Sequence, residues 1–188
     1  VAMAVIDALI KSDHVQNVLF VVDRISLANQ AKEKGFKSFF NEPVCELNFE
    51  GFSDSARLYV STVQTLTNSD NKKKRPMYEK FGVGFFDLIV FDEAHRSFYD
   101  ANNILFSYFD CIKLGLTATP SKEDSRDTFK LFDCEDKKPT IKYDYDTAVN
   151  EGVLAPYVAD IIETRVLSLG IEGSKLTKEL KQILKEQE

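Results

Sequence analysis

Two runs of consecutive apolar side chains, Val18-Leu19-Phe20-Val21-Val22 and Leu88-Ile89-Val90-Phe91, constrain this chain more than any other feature. A strand with one face in water alternates apolar and polar residues. A strand that is apolar at every position must be covered on both faces, as in a parallel sheet with helices above and below it. Residues 58–61 and 113–116 read as further strands, and residues 44–47 as a weaker one. Between them lie helical signals. Residues 1–10 spread Ala and Leu around nearly the whole circumference and predict a buried helix. Ser26 is placed to cap a helix over residues 27–34, with Gly35 as its stop. Ser121-Lys122-Glu123-Asp124 has the form of a capping box opening a helix that runs through Leu131. Strands and helices alternating at this spacing imply an α/β fold with right-handed crossovers. Further on, residues 157–169 read as extended. The stretch around Gly170 and Gly173 reads as a linker, and Leu176, Leu180, Ile183 and Leu184 mark one face of a closing amphipathic helix.

Charge and cysteine content narrow the function classes. With 30 acidic against 24 basic residues the chain carries a formal charge of −6, so a polycation that coats nucleic acid is excluded, whereas directed phosphate contacts from one face are not. The basic cluster Lys72-Lys73-Lys74-Arg75 sits in a polar stretch and reads as a solvated loop. Cys45, Cys111 and Cys134 are odd in number and contain no Cys-x-x-Cys pair, which argues against a zinc site or a disulfide framework. Reduced thiols of this kind point to a cytoplasmic protein. The longest apolar runs are far too short to span a bilayer, so no membrane partner is expected.

In an open parallel sheet, ligands gather beyond the carboxyl ends of the strands. The run Leu88-Ile89-Val90-Phe91 delivers Asp92-Glu93-Ala94-His95 to that position. Two adjacent carboxylates there need compensation, and a Mg²⁺ ion suits their hard oxygens and brings phosphates with it. One carboxylate then orients the hydrated metal and the other polarises an attacking water. The alternative for the tetrad is an acidic surface turn. Asp92-Glu93-Ala94-His95 resembles the Walker B motif, motif II, of superfamily 2 helicases and translocases. Downstream, Leu114-Gly115-Leu116-Thr117-Ala118-Thr119-Pro120 resembles their motif III. The resemblance implies a three-layer RecA-like parallel sheet with helices on both faces, and ATP and Mg²⁺ as cofactors. It also implies catalytic and nucleotide-binding roles for Asp92 and Glu93, with His95 beside the nucleotide. Asp92 would reach Mg²⁺ through water, while His95, Thr117 and Thr119 would couple the motifs.

Two weaker matches follow in the expected order. Phe20-Val21-Val22-Asp23-Arg24-Ile25-Ser26 resembles motif Ia, with Arg24 as a phosphate contact, or alternatively as half of a solvated Asp23–Arg24 pair. Ser61-Thr62-Val63-Gln64-Thr65-Leu66 resembles the next motif, with Thr62 and Gln64 as DNA-backbone contacts, or with Ser61 or Thr62 as a helix cap. Motif II continues into Arg96-Ser97. Tyr143-Asp144-Tyr145, Ala148-Val149 and Gly152-Val153-Leu154-Ala155-Pro156-Tyr157 follow. Together these resemble the R subunit of type I restriction enzymes, in which an aromatic-rich strand and a Gly-x-Leu-x-Pro-Tyr turn close the first motor domain.

That resemblance implies a motor domain over residues 1–169, with residues 170–188 as linker and helix. It implies double-stranded DNA as substrate, and the modification and specificity subunits of a restriction complex as partners. A repair-type superfamily 2 helicase is the second reading, and a catalytically silent α/β scaffold that binds a partner protein is the third. No Gly-x-x-x-x-Gly-Lys-[Ser/Thr] phosphate loop occurs in the chain. The expectation is therefore a piece of a longer protein that begins just past that loop and is inactive alone.

Overall fold

The structure is a computed structural model that describes residues 1–47, 51, 53, 55–68, 75–94, 99–120 and 127–158, apart from the side chains of residues 99–102. The chain divides into two units, Val1–Thr140 and Ile141–Glu188.

In the first unit the apolar runs form five strands: β1 (Val18–Val22), β2 (Val44–Glu46), β3 (Leu58–Thr62), β4 (Leu88–Asp92) and β5 (Ile112–Leu116). They pair in the order β2-β3-β1-β4-β5, and every pairing is parallel. All five residues of β1 and of β3 are buried. This is the two-sided cover that the unbroken apolar run of β1 requires. Side chains alternate between two cores. Val18, Phe20, Val22, Leu58, Val60, Leu88 and Val90 face one, which receives Ile6, Ala28 and Phe36. Leu19, Val21, Tyr59, Ile89 and Phe91 face the other, which receives Val63, Leu66, Phe81, Phe86, Leu105 and Phe109. Each fully buried Leu, Val or Phe contributes roughly 1.5–3 kcal/mol relative to exposure, so each core holds the sheet strongly from its own side.

The α-helices of this unit among the described residues are α1 (Ala2–Lys11), α2 (Ile25–Gln30), α3 (Lys37–Phe39), α4 (Val63–Thr67), α5 (Tyr99–Tyr108) and α6 (Thr128–Leu131), of which α1, α2, α4 and α5 supply Ile6, Ala28, Val63, Leu66 and Leu105 to the cores. Single 3₁₀ turns occupy Met77–Lys80 and Glu135–Lys137. Three expectations need correction. α1 exists, but only Ile6 of it is buried; the helix covers the sheet with one side and shows the other to solvent. Ser26 lies inside α2, whose N-cap is Arg24 with no side-chain bond. Gly35 is not a stop either, because the chain passes through it in π-helical turns, Ala31–Phe36, and on into α3. Phe36, fully buried beside Phe20 at 5.8 Å, holds this stretch onto the core. α6 is capped by Asp127, whose carboxylate accepts from the Phe129 and Lys130 amides; the capping box at residues 121–124 lies outside the described residues.

In the second unit, residues 143–144 are not a strand, and Tyr145–Asn150 forms a helix, α7. Asp144 caps it, accepting from the Thr147 amide and hydroxyl at 3.1 and 2.6 Å. Gly152, at φ +72°, ends it. Its N–H donates to the Val149 carbonyl and that of Val153 to the Ala148 carbonyl, a Schellman closure that needs a left-handed residue at this position. The Gly-x-Leu-x-Pro-Tyr turn is thus a helix terminus, drawn in by Tyr145, whose hydroxyl donates to the Ala155 carbonyl and whose ring meets Tyr157 at 5.1 Å. Residues 159–188, with the expected extended segment and final helix, lie outside the described residues.

Candidate functional site

Parallel register fixes which residues emerge together. Asp92, the last residue of β4, stands opposite Leu116, the last residue of β5. Glu93 follows Asp92 in the left-handed region, at φ +53°, a conformation that costs a residue with a Cβ about 1–3 kcal/mol. The sharp turn it makes brings the Ala94 amide onto the Leu116 carbonyl at 3.0 Å. One hydrogen bond thereby ties the chain just after Glu93 to the residue just before Thr117. Thr117 in turn accepts the Thr119 amide at 3.1 Å, curling the chain after β5 back on itself. The carboxyl ends of β4 and β5 therefore carry Asp92, Glu93, Thr117 and Thr119 from adjacent strands on one edge of the sheet. His95 lies outside the described residues.

The electrostatics at this edge are those of crowded carboxylates. Burial pushes the Asp92 carboxyl up from its ordinary range; the neighbouring Glu93 and Asp23 charges push it further, and the Glu93 amide, donating at 3.1 Å, opposes them. Asp23 is the residue that the sequence reading missed. It follows β1 as Asp92 ends β4, and β1 and β4 are paired neighbours. The signal was available, since a carboxylate just past a wholly apolar strand must emerge at the same edge. Among the described residues no three His, Cys, Asp or Glu side chains form a metal cage. The chemistry of the donor set, hard carboxylate oxygens at a strand end, is of the kind that holds a hydrated Mg²⁺ through one or two carboxylates.

The remaining candidates are placed differently. Arg24 is well exposed, with its Nε 3.5 Å from Asp23, so its guanidinium stands at the carboxyl edge of β1. Thr62 is only 1% exposed. Its Oγ1 accepts the Thr65 amide at 3.1 Å and shares a hydrogen bond with the Thr65 hydroxyl. The capping alternative describes it, and its hydroxyl is spent on α4. Gln64, two residues on, is exposed.

Comparison with known proteins bears on the family and the fold. Residues 1–122 match the family described as type III restriction enzyme, res subunit. The chain is 30% identical to the type I restriction enzyme EcoKI endonuclease subunit of Escherichia coli strain K12, over 93% of this chain and 16% of that protein. To the EcoAI endonuclease subunit of Escherichia coli it is 25% identical, over 94% of this chain and 21% of that protein. It thus spans about a fifth or less of the length of these curated relatives. Among solved structures, the Pyrococcus furiosus Hef helicase domain superposes with a TM-score of 0.56 at 24% identity, covering 71% of this chain and 31% of that one. The Sulfolobus solfataricus SWI2/SNF2 ATPase core, solved in complex with double-stranded DNA, gives 0.52 at 14% identity, covering 72% and 28%. Both show the same three-layer RecA-like α/β fold. Among the described residues no helix is long and apolar enough to cross a membrane. The chain belongs to the family described as type III restriction enzyme, res subunit, and is related in sequence to the endonuclease subunits of type I restriction enzymes.

Proposed function

We propose that this chain is the first motor domain, residues 1–169, of an ATP-dependent double-stranded DNA translocase that serves a type I restriction endonuclease. The observation that carries this reading is the hydrogen bond from Ala94 to Leu116, which binds the carboxylate turn to the threonine turn at the carboxyl edge of the sheet. Asp92 would hold hydrated Mg²⁺, which when bound neutralises charge on the nucleotide phosphates. Glu93 polarises the attacking water as general base. Thr117 and Thr119, with His95, transmit the state of this edge to the rest of the motor. Arg24 and Gln64, both exposed, meet the DNA backbone without reading sequence. Thr62 supports them by fixing the start of α4. The relatives named as type I endonuclease subunits support the restriction context, with modification and specificity subunits as partners. The neighbour solved on double-stranded DNA supports the substrate.

The test is DNA-stimulated phosphate release by the intact protein that carries these residues. Turnover should require double-stranded DNA, show no preference among sequences, and fall steeply with salt as phosphate contacts are lost. The 188 residues alone, lacking a phosphate loop, should not turn over. ATP hydrolysis indifferent to DNA, or robust turnover by this chain alone, would overturn the reading.

A further inference from the structure

Gly115 of β5 occupies a position where a side chain has no room. A Cβ there would stand 2.5, 2.7 and 2.8 Å from three atoms of the Phe132 ring, Cζ, Cε2 and Cε1. Phe132, the C-cap residue of α6, therefore drives its ring tip onto the bare backbone of the strand that leads to Thr117. The ring is hemmed in from two other directions. Phe106 of α5 meets it edge-on at 4.9 Å, and Phe91 of β4 at 6.0 Å. Phe91 and Phe106 stack on each other at 4.8 Å. Phe91 is also the register partner of Gly115, and each stands just before a functional turn: Phe91 immediately precedes Asp92, and only Leu116 separates Gly115 from Thr117. Three rings from three segments thus pack together, one of them seated on Gly115, next to the strand ends that carry Asp92, Glu93 and Thr117.

We propose that Phe132, seated on Gly115, is a positioning residue for the hydrolytic edge: it sets the approach of the β4 and β5 ends and links them to α6. The proposal rests on the ATP-hydrolysing reading given above. Its physical basis is that closely packed rings resist small displacements, while misplacing a catalytic group by about 1 Å can cost about a hundredfold in rate. Adding a methyl at Gly115 forces either the ring out of its seat or β5 away from it. Deleting the ring leaves the seat empty. The two changes should have the same functional consequence, and a shorter side chain at 132 should make room for the methyl.

The experiment compares wild type, Gly115→Ala, Phe132→Ala and the double variant Gly115→Ala/Phe132→Leu in the intact protein, reading kcat and KM for ATP in saturating DNA together with the thermal midpoint. Each single variant should lose about tenfold or more in kcat per folded molecule, with KM for ATP within about twofold of wild type. The double variant should recover most of the loss. Wild-type kcat per folded molecule in both single variants, even with a lowered midpoint, would reduce the contact to packing and overturn the proposal. So would a double variant no faster than Gly115→Ala. A wild-type protein without DNA-stimulated turnover would instead sink the function proposed above, so the two failures are distinguishable.

Discussion

The strand β4 is preceded by one aspartate and ends in another, and the two are handled in opposite ways. Asp87, at the amino end, has its Oδ2 engaged by the backbone amides of Gln16 and Asn17, both at 2.9 Å. Its own amide donates to the Asn17 carbonyl and its carbonyl accepts from Ile112. One residue thus fastens the entries of β1, β4 and β5 together. Asp92, at the carboxyl end, receives a single neighbouring amide and faces Glu93 and Asp23, which with burial push it up. The amino end spends its carboxylate on amides and gains stability. The carboxyl end keeps its carboxylates crowded and bends Glu93 into a left-handed turn, the kind of local cost that is found where a site is built for function rather than stability.

Substitutions at the two ends should therefore separate activity from stability. The largest effect is expected from Glu93→Gln, which should cut DNA-stimulated turnover of the intact protein by about two to four powers of ten, the usual worth of a general base. Nucleotide binding, followed by equilibrium titration, should survive because the amide preserves shape and hydrogen bonding. At the other end, Asp87→Ala removes a charged acceptor from two backbone amides. It should lower the unfolding free energy by about 1.5–3 kcal/mol in chemical denaturation, with turnover per folded molecule unchanged. A smaller loss, about 1 kcal/mol, is expected for Thr62→Ala through the lost cap of α4, with Thr62→Ser restoring most of it.

The smallest effect is one that acid removes. The Lys137 ammonium, 3.1 Å from Asp127, and the amides at the start of α6 hold the Asp127 carboxyl below its ordinary range. A carboxylate depressed in the folded state stabilises above its unfolded value, about 3.9, and the contribution fades as pH falls through the folded value. The thermal midpoints of wild type and Asp127→Asn should accordingly differ at neutral pH and converge below about pH 4. A gap that persists in acid would assign the effect to shape rather than charge.

How much of this could be read in advance follows the same division. β1 and β4 were legible because an unbroken apolar run has one economical use, a strand covered on both faces; β2, β3 and β5 were shorter or mixed signals that the alternation of elements supported. The carboxylate and threonine turns were legible because strand ends in a parallel sheet converge. Helix limits were less legible. Ser26 looks like a cap, but the chain enters its helix two residues earlier at Arg24, carried there directly by the end of β1. Tyr143-Asp144-Tyr145-Asp146 alternates as a strand would, yet the reach of Asp144 to Thr147 and the left-handed Gly152 commit the next six residues to a helix. α5 went unread because Asn102 and Asn103 interrupt its apolar pattern, although Leu105 within it is fully buried. The pairing of Asp23 with Arg24, offered as an alternative, is present at 3.5 Å, but the closeness of Asp23 to Asp92 went unread, because neighbours in sequence are visible and neighbours across strands are not. The seat of Phe132 on Gly115 is of the same kind, a contact between residues that only the folded sheet brings together.

The central claim is that the carboxyl edge of β4 is built for chemistry at the expense of stability. Asp92→Asn tests it most directly, with thermal unfolding in the absence of Mg²⁺ and DNA-stimulated ATP turnover measured on the same preparation of the intact protein. Removing a half-buried charge from beside two like charges should leave the thermal midpoint equal to wild type or higher, while Mg²⁺-dependent nucleotide binding and turnover are lost. A lowered midpoint with turnover retained would contradict the account and make Asp92 a structural residue like Asp87.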